Sequence, residues 1–236
     1  MSTLHEKHFP NESAEYRDAR NKVLEEEIKL RKHVEEVAAM RRSLPLGGKV
    51  SEDYVFEELD ENGKIIKTKL SEVFKPGKDT LVAYSFMFGP DAKEACSSCT
   101  SIIDGINGMV FHVNDRINFV CIAKSDPEKI AGWMKKRGWK NIRFLSSNKN
   151  SYNLDYFGEN GKGNQMPHLN VFKKTADGIF HTYGSELMFM PPEPGQNERD
   201  IDSIWPLWNI FDLTPEGRGT DWYPKNSYSE KTEQKK

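Results

Sequence analysis

One stretch constrains this chain more than any other. Leu81-Val82-Ala83-Tyr84-Ser85-Phe86-Met87-Phe88 is an apolar, aromatic and β-branched run, and Gly89-Pro90 stops it. Such a run reads as a buried strand ending in a turn. Cys96-Ser97-Ser98-Cys99 follows and opens a pattern of helical spacing through Ile102, Ile103, Ile106, Met109, Val110 and Val113. A strand that delivers a Cys-x-x-Cys to the start of a helix is the layout of a thiol–disulfide redox site.

The chemistry explains the layout. A thiolate is the nucleophile, and a helix N-terminus stabilises it with free N–H groups and partial positive charge. Cys96 is the expected attacking thiol and Cys99, one turn deeper, the expected resolving thiol. Two blander readings stand beside this one. The cysteines are ordinary small residues, or they form half of a zinc site. Zinc needs two further ligands, usually as a second close pair. Cys121, His112, His168 and His181 are the candidates, and none is paired at ligand spacing, so no metal is assigned.

Composition narrows the class. The 236 residues are 36% hydrophobic and 30% charged, with a net charge of −2. That leaves no electrostatic footprint for nucleic acid. No run approaches the length of a membrane span. The N-terminus lacks a basic-then-apolar signal pattern. Three cysteines do not make a secreted disulfide framework, so the expected location is the cytoplasm.

In chain order, residues from about Asn11 to Met40 read as one long helix with Asn11 as N-cap. Tyr16, Val23, Leu30 and Val37 recur every seven residues among dense mixed charge. This narrow stripe suits an arm packed on the main domain, or an arm that grips a second subunit as a homodimer. Pro45 and Gly47-Gly48 end it. The expected division is an arm over 1–43, a main domain over 44–218 and a polar, disordered tail over 219–236.

Within the main domain, Tyr54–Leu59 and the residues around Ile65-Ile66 flank an Asn-Gly turn and read as a hairpin. The central strand and cysteine helix follow. Then come a strand over Ile117–Ala123, a helix capped by Asp126-Pro127, and a short strand over Asn141–Leu145. This alternation predicts an α/β core with parallel pairing. A second hairpin turns at Asp177-Gly178. Beyond it lie a Pro-rich excursion and an aromatic unit over Ile201–Phe211.

An α/β core with Cys-x-x-Cys at the first helix and a proline just before a late strand resembles the thioredoxin fold: a central mixed sheet flanked by helices, here with a long N-terminal helical arm. In that fold the late proline is cis and faces the disulfide. The resemblance puts Pro167 in that place and implies that Met166 and Pro167 offer backbone groups to an extended substrate.

More closely, the chain resembles the domain of unknown function 899 family, described as thioredoxin-like dithiol–disulfide oxidoreductases. The stretches that carry this are Arg41–Pro45, Asp53–Phe56, Phe86–Pro90, Cys96–Cys99, Asp104-Gly105, His181–Tyr183 and Asp212–Arg218. The resemblance implies a cytoplasmic thiol–disulfide oxidoreductase acting on a protein or small-molecule disulfide. It needs no dissociable cofactor, only a redox-active disulfide and an external reductant. A thiol peroxidase is a related reading, with Arg116 as the cation that stabilises the peroxide. A non-catalytic binding or scaffold protein, dimeric through its arm and with a redox-sensitive cysteine pair, is the reading from another class. Asp104, two turns beyond Cys96, is a candidate proton relay or a solvated aspartate. His181 is a candidate pocket residue or a satisfied structural histidine.

Overall fold

A computed structural model describes residues 4–228. The chain divides into two compact units, one ending at Pro45 and one beginning at Leu46. The first is built on α1 (Ala14–Arg42). Its N-cap is Ser13 rather than the expected Asn11, because the Ser13 hydroxyl accepts the free N–H of Tyr16 at 3.1 Å. No residue of α1 is buried, and Tyr16, Val23 and Leu30 of its seven-residue stripe are exposed.

The second unit contains β1 (Val55–Leu59), β2 (Ile65–Lys69), β3 (Thr80–Ser85), α2 (Ser97–Arg116), β4 (Asn118–Ala123) and α3 (Pro127–Arg137). It continues with β5 (Phe144–Ser146), α4 (Tyr152–Asp155), β6 (His168–Thr175), β7 (Gly178–Gly184) and α5 (Pro206–Phe211). Seven strands form one mixed sheet in the order β2-β1-β5-β4-β3-β6-β7. The centre, β5-β4-β3, is parallel, and both flanks are antiparallel. The architecture is α/β, a central mixed sheet flanked by helices, as expected.

Topology decides which face carries the helices. The crossovers β3-α2-β4 and β4-α3-β5 step across the sheet in one direction. Two right-handed crossovers of that kind put both helices on the same face. There the buried side of α2 (Cys99, Ile102, Ile103, Ile106, Val110) meets Tyr84, Phe119 and Cys121 from the strands and Ile130 and Trp133 from α3. Phe86, Phe88, Trp133, Trp139 and Phe144 add a run of edge-to-face, tilted and stacked rings. The opposite face buries Leu81, Ala83, Val120, Ile122 and Phe172 under Phe56, Leu70 and Tyr152. Alternation along β3 sends Tyr84 to the helical face and Leu81 and Ala83 to the other.

Local signals explain the ends of α3. Pro127 sits in its first turn and Gly138 closes it in the left-handed region at φ 71°. Asp126 is its N-cap but makes no capping bond with its side chain, which accepts instead from Asn148 at 2.6 Å. The tail expected from residue 219 onward is packed over its first part. Trp222 and Tyr223 lie against Trp208, and Pro224 is buried. The aromatic side chains of α5 supply the partners that the tail's composition does not reveal. Residues 229–236 lie outside the described residues. Among the described residues no helix is long and apolar enough to cross a membrane.

The α2–sheet contact carries the second unit. Ile103, fully buried beneath α2, is expected to cost about 3 kcal/mol when replaced by alanine, through lost burial and a residual cavity. Urea unfolding of Ile103→Ala measures this.

Candidate functional site

The site begins where β3 ends. Phe86 N–H still donates to Ile122 of β4 at 2.8 Å, but the chain then leaves the sheet. The loop that follows is latched at several points. Ser125, just before α3, donates its N–H to Phe88 C=O at 3.0 Å and its hydroxyl to the Phe88 and Gly89 carbonyls at 2.8 Å. Lys129 donates to Gly89 C=O at 3.2 Å. Cys96 N–H returns to Met87 C=O at 3.1 Å, which fixes the cysteine at the mouth of α2.

Cys96 is the N-cap residue of α2 and is partly exposed, whereas Cys99 is buried. Both are free thiols. The Cys96 sulfur closes no capping hydrogen bond of normal geometry; the thiol of Cys99 and the N–H groups of Ser98 and Cys99 act on it as nearby positive poles. Foremost through Cys99, they hold the Cys96 thiol down to about 6 against the opposing effect of burial. Burial drives Cys99 the other way, well above an ordinary thiol, and the neighbouring Cys96 adds to the rise. Tyr84 donates its hydroxyl to Cys99 Sγ at 3.2 Å inside the core, which partly offsets that rise. Burial, then the Cys99 sulfur, keeps the Tyr84 hydroxyl protonated far above its usual range.

Glu94 lies close in sequence but does not oppose the Cys96 thiolate at close range. It pairs with Lys136 at 2.8 Å, and Lys136 and Asn226 hold its carboxyl low.

A cleft of about 480 Å³ opens onto Cys96. One wall is Tyr84, Met87, Cys96, Ser98 and Ile102; the other is the C-terminal segment, including Trp205, Trp208, Arg218, Trp222 and Tyr223. Trp205 Nε1 donates to Ser101 of α2 at 3.1 Å, and Asn226 donates to Ala95 C=O at 3.0 Å. These bonds hold the segment across the N-terminus of α2. Arg218 clamps it from within. Its buried guanidinium forks onto Asp212 at 2.8 and 2.7 Å and also binds both oxygens of Asp202. Arg199 binds the same two carboxylates from outside. Arg218 and then Arg199 hold the Asp212 carboxyl well below the usual carboxylate range.

The other expected site residues fall differently. Pro167 lines the cleft. Its peptide bond is trans, as are all described peptide bonds, which corrects the cis expectation. Trans is the lower-energy isomer for X–Pro, and Met166 N–H is already bonded to Gly158 C=O at 2.9 Å. Met166 does not line the cleft. Asp104 is turned toward α3, where it accepts from Trp139 Nε1 at 2.8 Å and pairs with Arg137. Arg116 is at the last turn of α2, about 30 Å along the helix from Cys96 at 1.5 Å per residue. His181 packs on Tyr156 and Phe172 and bonds Asn170 at 2.9 Å. Those rings belong to the face opposite Cys99. His168 is buried, stacked on Phe189, and held neutral by burial at about 4. Among the described residues no group of three His, Cys, Asp or Glu is placed to share a metal.

Reading the residues one by one does not single out Tyr84, Arg218, Asp202 or the tryptophans as parts of this site. A signal existed for Arg218, which ends one of the stretches that carry the family resemblance, Asp212–Arg218.

Over residues 6–234 the sequence matches the family described as bacterial protein of unknown function (DUF899). The chain belongs to this family. No curated protein matches it in sequence. Among solved structures it is similar to thioredoxin peroxidase I of Plasmodium yoelii, at 16% identity and a TM-score of 0.44, over 70% of this chain and 90% of that one. The 2-Cys peroxiredoxin of Plasmodium vivax gives 17% identity and 0.44, over 68% and 96%. A peroxiredoxin-like protein from Aquifex aeolicus gives 12% and 0.42, over 60% and 75%.

Two outcomes are expected from this geometry. The rate of Cys96 alkylation by iodoacetamide rises with pH through a midpoint near 6 and falls below it as the thiolate is protonated. In Cys99→Ala the midpoint moves upward, because the strongest stabiliser of that thiolate, the Cys99 side-chain donor, is lost. Mass spectrometry of the alkylated peptide reads both. Arg218→Met strips the partner from two carboxylates, so about 3 kcal/mol of stability is lost. Calorimetry should also show the wild-type advantage fading as acid protonates Asp212, whose depressed carboxyl stabilises the fold only while ionised.

Proposed function

We propose that this protein is a thiol–disulfide oxidoreductase in which Cys96 attacks and Cys99 resolves. One observation carries the reading. Two thiols one helical turn apart are driven in opposite directions, Cys96 down to about 6 and Cys99 well above its ordinary value. At neutral pH the first is mostly thiolate and the second a protonated reserve.

In the proposed cycle the Cys96 thiolate attacks one sulfur of a substrate disulfide. The substrate S–S bond breaks, a Cys96 mixed disulfide forms, and the departing thiolate takes up a proton. Cys99 then gives up its proton and attacks Cys96 Sγ. The mixed disulfide breaks, the second substrate thiol leaves, and Cys96–Cys99 becomes the disulfide. The substrate gains two electrons and the protein dithiol loses two, which an external dithiol restores. Tyr84 serves the second step. Its hydroxyl already points at Cys99 Sγ, and it stabilises the anion that Cys99 must become.

Reduction of a hydroperoxide through a Cys96 sulfenic acid is the second reading, favoured by the presence of Arg218 in the cleft. That guanidinium already has two carboxylates as partners, so disulfide reduction ranks first.

Single-turnover assays on the reduced protein test the assignment. Cys96→Ser abolishes substrate reduction. Cys99→Ser releases one thiol per protein and stops at a mixed disulfide that intact-mass spectrometry detects. Tyr84→Phe slows resolution about tenfold, the loss of one charge-assisted hydrogen bond, while leaving the first step faster than the second. Full turnover by both cysteine variants would sink the mechanism.

A further inference from the structure

The cleft above Cys96 selects by enclosure and by charge. Its volume lies in the range of small-molecule sites, about 300–1,000 Å³, and the C-terminal segment roofs it with Trp205, Trp208, Trp222 and Tyr223. A folded protein partner presents its disulfide on a broad surface, which such a roof blocks. A short, slim disulfide has only the cleft to enter.

Four charged side chains line the cleft: Glu198, Asp200, Asp202 and Arg218. Asp202 belongs to a balanced group, in which Asp202 and Asp212 share Arg218 and Arg199. Both cations of that group are committed to carboxylates, so neither is left to receive an anionic substrate. Glu198 and Asp200 are outside it. Among the described residues neither of their side chains has an ion-pair or hydrogen-bond partner. Burial, together with Glu198 and Asp202, pushes the Asp200 carboxyl up from its ordinary value, as expected of a carboxylate lacking a counter-ion. The surrounding rings add attraction for a cation, because their faces are electron-rich.

We propose that the substrate of this site is a low-molecular-weight disulfide of net positive charge, its cations amines, with Asp200 and Glu198 as the groups that select it. The proposal rests on Cys96 and Cys99 being a working redox pair. A cationic disulfide of the cystamine type enters with its ammonium toward Asp200. Oxidised glutathione carries two ammonium groups but four carboxylates, and its net negative charge meets uncompensated carboxylates. The electron balance is that of the cycle above: one disulfide becomes two thiols, and the reduced Cys96–Cys99 pair becomes its disulfide.

The test is single-turnover oxidation of the fully reduced protein by cystamine, by neutral hydroxyethyl disulfide and by oxidised glutathione. Loss of alkylatable thiols is followed, and each rate is divided by that of free dithiothreitol with the same disulfide. The expected normalised order is cystamine, then hydroxyethyl disulfide, then glutathione disulfide. The span between first and last is about tenfold or more at low salt and shrinks as salt is added. In Asp200→Asn and Glu198→Gln, checked for folding by thermal melting, the cystamine-to-glutathione ratio falls several-fold toward one. Equal normalised rates for the three, or a ratio that neither variant changes, overturns the substrate class and leaves the redox pair standing. No oxidation by any of the three, with both thiols still alkylated, overturns the redox pair and the substrate class together.

Discussion

The burial of Cys99 against β3 is the constraint on which the site depends. Two chemically identical thiols stand one helical turn apart, and the protein separates them by placement alone. Cys99 is on the face of α2 that packs into the core with Ile102, Ile103 and Ile106, so low dielectric keeps it protonated. Cys96 is one step outside, at the end of the helix, where the Cys99 thiol and then the free backbone N–H groups stabilise its anion. The latches from Ser125 and Lys129 fix the loop that leads into α2.

The C-terminal segment adds a second layer of control. It crosses the mouth of α2 on hydrogen bonds to Ser101 and Ala95, and two arginines and two aspartates hold it in shape. A nearly neutral group of this kind lets a buried guanidinium stay charged without an unpaired ion in the core. The segment closes a cleft with aromatic walls over Cys96. Its charge balance leaves Glu198 and Asp200 over as the field that an approaching molecule meets.

Much of this was legible from spacing. The apolar run before Gly89-Pro90 and the 3–4 periodicity after Cys96 specify a strand feeding a helix, and β3 and α2 form there. Gly138 and Pro127 mark the ends of α3 because backbone geometry alone decides them. The auxiliary residues were less legible. Asp104 shares a helix with Cys96 but serves Arg137 and Trp139, since a helix position does not say which neighbour arrives beside it. His181 and Cys99 are on opposite faces of the sheet, and Arg116 is a helix length away. Trp222 and Tyr223, in a stretch that composition marks as a polar tail, find ring partners on α5.

The sequence by itself determined the Cys-x-x-Cys pair, the strand that delivers it and the helix whose end exposes its first cysteine. These features rest on contacts within a few residues, where periodicity and capping chemistry decide. Only the tertiary structure decided that Tyr84 reaches the buried sulfur from 15 residues away, and that a segment more than 100 residues downstream closes over the site. Those outcomes depend on the handedness of two crossovers and on charge pairing between distant segments. Neither leaves a periodic trace along the chain.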